Sequence, residues 1–142
     1  MATVPFKLIT PLEVRFDGEA ELVIAVGTEG EVGILPRHAP FLTALRPGLV
    51  RANIVRDGKT ERLELATGEG FLQALPDRVT ILVDAAYASG EVDISETRRE
   101  RSDALERQRS AGSDLEAYRR EQSIVDLAEA KLAVAHAGHS GA

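Results

Sequence analysis

The stretch Leu49-Val50-Arg51-Ala52-Asn53-Ile54-Val55-Arg56-Asp57-Gly58-Lys59-Thr60-Glu61-Arg62-Leu63-Glu64-Leu65-Ala66 decides the fold class. Apolar residues recur with a period of two on both sides of Asp57-Gly58. An Asp-Gly pair between two such runs signals a hairpin, because both central residues of a type I′ turn need a positive φ. Towards the N-terminus the alternation returns: Phe6, Leu8 and Thr10 against Lys7 and Ile9, then Leu12, Val14 and Phe16 against Glu13 and Arg15, with a turn expected at Asp17-Gly18. A more continuous apolar run, Leu22 to Val26, ends in Gly27-Thr28-Glu29-Gly30. Towards the C-terminus, Phe71 to Leu75 and Val79 to Val83 face each other across Pro76-Asp77 as a second hairpin. Short strands punctuated roughly every ten residues, with no helical stretch between them, predict an antiparallel β-sandwich or barrel over residues 1–88.

Near Ser89-Gly90 the composition turns charged and Ala-rich, with helical spacing. Asp93 with Glu96, and Ser113 with Glu116, have the spacing of capping boxes, and Ala111-Gly112 breaks the run between them. Residues 89–142 therefore read as an αα-hairpin, its second helix ending near Ala137-Gly138. That second helix carries Leu115, Tyr118, Val125, Ala128, Leu132 and Ala135 on one stripe, with Ile124, Leu127 and Val134 beside it. The first offers a poor stripe (Ile94, Thr97, Ala104, Leu105) amid arginines and acids. Because helices in proteins are held mainly by packing an apolar face, such a hairpin is expected to be weakly anchored and able to move.

The composition excludes several functions. A net charge of −6 over 142 residues argues against nucleic acid, whose phosphates demand a surplus of Lys and Arg. With no cysteine there is neither a disulfide, a thiolate metal site nor a thiol nucleophile. No apolar run approaches the roughly 18 residues of a membrane span, and the N-terminus lacks the features of a targeting segment. The only histidines are His38, His136 and His139, and no phosphate-binding loop occurs, since Gly27-Thr28-Glu29-Gly30-Glu31 places acids where a phosphate would sit. Neither catalytic residues, nor a metal, nor a cofactor is expected. A free-standing ligand-binding sandwich with a helical tail is the alternative, and an enzyme the weakest reading.

The run Thr28-Glu29-Gly30-Glu31-Val32-Gly33-Ile34-Leu35-Pro36-Arg37-His38-Ala39-Pro40-Phe41-Leu42-Thr43-Ala44-Leu45-Arg46-Pro47-Gly48, with Leu8-Ile9-Thr10-Pro11 and Thr67-Gly68-Glu69-Gly70-Phe71, strongly resembles the epsilon subunit of F-type ATP synthases, and the resemblance covers essentially the whole chain. It implies an N-terminal β-sandwich of about ten strands and two C-terminal helices, in agreement with the pattern read above. It implies a central-stalk subunit that rotates with gamma on the c-ring and couples proton flow to ATP synthesis, without catalytic residues, as a peripheral protein on the cytoplasmic face of a bacterial plasma membrane. It implies that Glu29, Glu31, Arg37 and His38 meet the c-ring. Val32 and Ile34 stay open between that contact and an inward-facing role. It also implies helices that extend along gamma to inhibit ATP hydrolysis, with Arg119, Arg120 and Lys131 reaching the alpha and beta subunits. Some members sense ATP at the start of the first helix. The matching stretch here, Val92-Asp93-Ile94-Ser95-Glu96-Thr97, has Glu96 and Thr97 where the motif holds Arg and Ala, which reverses the charge a phosphate needs. Asp93 is better read as a helix cap.

Overall fold

The computed structural model describes residues 2–140, with side chains as far as Ala137. Nine strands come first: β1 (Val4–Ile9), β2 (Val14–Gly27), β3 (Gly30–Ile34), β4 (Phe41–Leu45), β5 (Gly48–Arg56), β6 (Lys59–Thr67), β7 (Gly70–Leu75), β8 (Arg78–Val83) and β9 (Ala86–Tyr87). A single 3-10 turn (Ser89–Glu91) leads to helices α1 (Ile94–Ser110) and α2 (Leu115–Ser140).

Alternation builds the core. Val4, Phe6 and Leu8 of β1, Val50, Ala52 and Ile54 of β5, Leu72 and Ala74 of β7, and Val79, Ile81 and Val83 of β8 all point inward and join one buried cluster. The Asp57-Gly58 hairpin forms as read. Arg56 opposes Lys59, and both turn residues have positive φ, 52° and 76°. The Pro76-Asp77 hairpin also forms, with Leu75 opposite Arg78.

The long strand β2 is shared by the two layers. Its first half pairs with β1, which in turn runs parallel to β8, and its second half lies between β3 and β5. One layer is thus β1-β8-β7-β4, and the other β3-β2-β5-β6-β9. The turn expected at Asp17-Gly18 does not exist. Those residues pair with Lys7 and Phe6 within an unbroken strand, and a side chain at Gly18 would press on the Phe16 ring at 2.9 Å. The reversal comes earlier, at Thr10-Pro11-Leu12-Glu13, closed by Thr10 N–H donating to the Glu13 carbonyl at 2.9 Å. A β1 strand already in place offered Asp17 and Gly18 ladder partners, and pairing prevailed over local turn preference.

The helices form the expected hairpin. Asp93 caps α1, its carboxylate accepting from Glu96 N–H at 3.0 Å. At the second start the cap is Asp114, not Ser113: its carboxylate accepts from Ala117 N–H at 3.1 Å, one residue later than the spacing suggested. Gly112, at φ 60°, closes the connection. Replacing Asp93 with Ala leaves a helix-start N–H unpaired and is expected to cost about 1 kcal/mol, read as a melting temperature lowered by a few degrees.

Helix α2 is the one that lies on the sandwich, and α1 packs along α2. The apolar contact with the strands is small: Ala130 and Val134 cover Ala66, flanked by Leu49, Tyr87 and Val92. Leu115 and Tyr118, placed by periodicity on the packed stripe, are exposed, because the seat on the sandwich is formed by later turns of α2. The helices are joined in part by polar pairs. Arg107 Nε–H donates to both oxygens of the buried Glu121 at 2.9 Å, and Gln108 Nε2 donates to Gln122 Oε1 at 2.7 Å. The helix runs past Gly138 to Ser140; the side chain of His139 lies outside the described residues.

Candidate functional site

The residues of the signature run are set at the two ends of β3. Glu29 is exposed at the β2–β3 turn, where Gly30 has φ 129°. Glu31, next to it, pairs with Arg51 of β5, Oε2 to Nη2 at 2.7 Å. Arg37 is exposed in the β3–β4 loop and adopts a φ of 65°. His38 donates from Nδ1 to the Leu35 carbonyl at 2.8 Å; a carbonyl only accepts, so Nδ1 carries the hydrogen. Its Nε2 is shielded from solvent and has no hydrogen-bond partner among the described residues. β3 itself spans about 13 Å, and among the described residues no hydrogen bond or ion pair joins the acids to Arg37 or His38. Val32 and Ile34 pack against the core, which decides the question the sequence left open.

The three cations of α2 differ among themselves. Arg119 and Arg120 are exposed. Lys131 is not free: its side chain is 13% exposed, its Nζ lies 3.5 Å from Glu100 Oε1, and it sits 4.6 Å over the Tyr87 ring. It can reach another chain only if α2 leaves the sandwich. Arg119 also lines a cleft of about 750 Å³ between α2 and the strands, with Arg46, Phe71 and Ser123; there Ser123 donates to Glu69 Oε1 at 2.7 Å.

An exposed apolar row was hidden in the sequence. Ladder partners Ala44, Phe71, Leu82, Ile9 and Val14 form one cross-strand row over β4, β7, β8, β1 and β2 on the outer side of the layer. Phe71 is 55% exposed, Leu82 51% and nearby Leu42 67%. At about 4.8 Å between strands, the row spans about 19 Å. Each residue occupies the outward, usually polar phase of its strand. Apolar residues at two such positions in neighbouring strands are the signal that would have revealed it.

Two carboxylates are electrostatically distinctive. Arg15, together with the Ala88 N–H, holds the Glu91 carboxyl at about 2, below its usual 4.5. Burial, with Glu69 beside it, raises that of Asp84. Because Glu91 is more acidic folded than unfolded, its contribution to stability is present above pH 4.5 and is lost as the pH falls through about 2. The melting temperature of a Glu91→Gln variant is therefore expected to lie below the parent's at pH 6 and to converge with it towards pH 2. Among the described residues, no group of three or more His, Cys, Asp or Glu side chains could hold a metal, and no helix is long and apolar enough to cross a membrane.

Residues 3–89 match the family of the ATP synthase delta/epsilon chain β-sandwich domain. The chain is 41% identical over 119 residues to the ATP synthase epsilon chain of Moorella thermoacetica, covering 81% of this chain and 85% of that one. It is 38% identical over 130 residues to the epsilon chain of Chromohalobacter salexigens, covering 92% and 88%. In fold it is similar to a chain of the Euglena gracilis mitochondrial ATP synthase OSCP/F1/c-ring structure, with a TM-score of 0.75 at 18% identity over 94% of this chain and 81% of that chain. A chain of the Tetrahymena thermophila central stalk and c-ring structure gives 0.61 at 17% identity, covering 92% and 97%. A nine-stranded sandwich carrying the signature run, a two-helix hairpin behind it, and identities of this size over most of both chains agree: the protein belongs to the ATP synthase epsilon chain family.

Proposed function

We propose that the chain is a non-catalytic rotor subunit of a proton-translocating ATP synthase, bound peripherally at the cytoplasmic face of a bacterial plasma membrane. The observation that carries this reading is the exposed apolar row through Phe71 and Leu82, on a sheet whose other face is the core. A continuous apolar strip on a stiff sandwich is what a permanently bound partner covers. That partner is gamma, and torque passes between it and the c-ring through the sandwich body, residues 1–88. The ends of β3 supply the c-ring contact: Glu29 and Glu31 as acids at one end, Arg37 and His38 at the other.

The hairpin, residues 89–142, is the regulatory part. Its apolar seat on the strands is small, so its docked and extended positions differ modestly in free energy and a partner can shift the balance. Extended, it brings Arg119, Arg120 and the freed Lys131 to the alpha and beta subunits and slows ATP hydrolysis. The test is ATP hydrolysis by the assembled complex with the full chain and with a chain ending at Val92. A marked rise on truncation, with gamma still bound, is expected. An unchanged rate would remove the inhibitory role, and failure of the full chain to co-purify with gamma would remove the rotor assignment.

A further inference from the structure

A hairpin that leaves the sandwich must turn about some point in the connection between β9 and α1, and the polar contacts of that connection divide it in two. The first part, Ala88 to Glu91, is tied to the strands. Arg15 of β2 donates to both oxygens of Glu91, from Nη1 to Oε2 at 3.0 Å and from Nη2 to Oε1, and Nη1 also donates to Glu13 Oε1 at 3.0 Å. Glu91 Oε1 accepts in addition from the Ala88 N–H at 2.8 Å, and Glu91 N–H donates to the Ala88 carbonyl at 3.0 Å. The turn is thus closed on itself and clamped by a bidentate ion pair to a residue 76 positions earlier.

The second part belongs to α1. The Asp93 carboxylate accepts from Glu96 N–H, and its carbonyl accepts from Thr97 N–H at 2.9 Å and Thr97 Oγ1–H at 2.7 Å. Between the two parts stands Val92. Its N–H reaches the Ser89 carbonyl only at 3.4 Å, and its side chain packs with Ala130 and Val134 of α2, the element that leaves. Val92 and Asp93 are both extended, at φ −101°, ψ 122° and φ −86°, ψ 106°.

We propose that the helical hairpin pivots at Val92-Asp93 and that the 3-10 turn, clamped by Arg15, stays with the sandwich when the helices depart. This rests on the reading of a mobile hairpin given above. A pivot ahead of the turn would have to break the bidentate pair. A pivot at Val92-Asp93 keeps that pair and releases the packing of α2 on β5, β6 and the 3-10 turn, including the Ala130-Val134 seat, the Ser123–Glu69 hydrogen bond and the Lys131–Tyr87 contact.

The chain contains no cysteine, so within it only the engineered pairs can be linked. One variant carries Arg15→Cys and Glu91→Cys, the other Glu69→Cys and Ser123→Cys. Each is assembled into the complex, assayed for ATP hydrolysis, joined with a short bismaleimide and assayed again, with melting temperatures confirming the fold. The expected result is that linking 69 to 123 relieves inhibition while linking 15 to 91 leaves it unchanged. If both linkages relieve inhibition, the pivot lies before Glu91 and the proposal is overturned while the mobile hairpin stands. If neither has an effect, the mobile hairpin falls, and the pivot with it.

Discussion

Substituting Phe71 and Leu82 together with glutamate is expected to release the chain from gamma while leaving its melting temperature close to the parent's. The two side chains are directly opposed on β7 and β8, half-exposed, and point away from the core, so the isolated fold loses little when they change. In a complex that covers them, each contributes about 1 to 2 kcal/mol of apolar burial. The replacement carboxylates would also have to be desolvated without partners, at several kcal/mol each. The sum corresponds to a loss of affinity of about a thousandfold or more. Retention of gamma in a mild-detergent extract, measured beside the melting curve, checks it. Unchanged retention would mean that the row is not the gamma surface. Loss of both retention and fold would be resolved with Phe71→Gln, which removes apolar area without adding charge.

The second large effect is on the fold. Gly70→Ala is expected to destabilise the chain by about 3 kcal/mol or more, because a Cβ at this position would lie 1.8 Å from the Leu82 carbonyl oxygen and 2.7 Å from Val83 Cα. Both are backbone atoms of a paired strand, so the strain is relieved only by prying β7 from β8. A fall in melting temperature of about 10 °C or more follows. Gly90→Ala is the control: no atom lies within 4 Å of its added Cβ and its φ is not positive, so the change is expected to be neutral or stabilising by up to about 1 kcal/mol. Circular dichroism melts of the two variants settle the comparison. Equal behaviour would show that β7 and β8 are less closely locked than their register indicates. Gly68 differs: a Cβ there would meet only the tip of the Asp84 side chain, Oδ1 at 1.8 Å, which can turn aside. Of the two glycines of Thr67-Gly68-Glu69-Gly70-Phe71, Gly70 is thus the one demanded by the backbone of the neighbouring strand.

Local chemistry made much of the fold legible. Asp57-Gly58, Pro76-Asp77 and Asp93 each act within four residues of themselves, and each does in the structure what its type and spacing prescribe. Asp17-Gly18 misled because the same dipeptide has a second use inside a strand once a neighbour pairs with it, and the neighbour is β1. Ser113 misled by one residue because Asp114, an equally good cap, stood beside it. The candidate site was legible only in part. Glu29, Glu31, Arg37 and His38 carry the resemblance, but their placement at opposite ends of β3, the pairing of Glu31 with Arg51 and the withdrawal of Lys131 beneath Tyr87 and Glu100 depend on partners far away in the chain.

The sequence by itself determined the order of elements, the alternation that fills the core and the family to which the chain is similar, because each is written in spacings of a few residues. Only the tertiary structure decided that β2 serves both layers, that Ala44, Phe71, Leu82, Ile9 and Val14 line up as one apolar row, and that Arg15 clamps Glu91. Each of those is a meeting of residues dozens of positions apart, fixed by strand register and by the closure of the sandwich, and no local pattern encodes it.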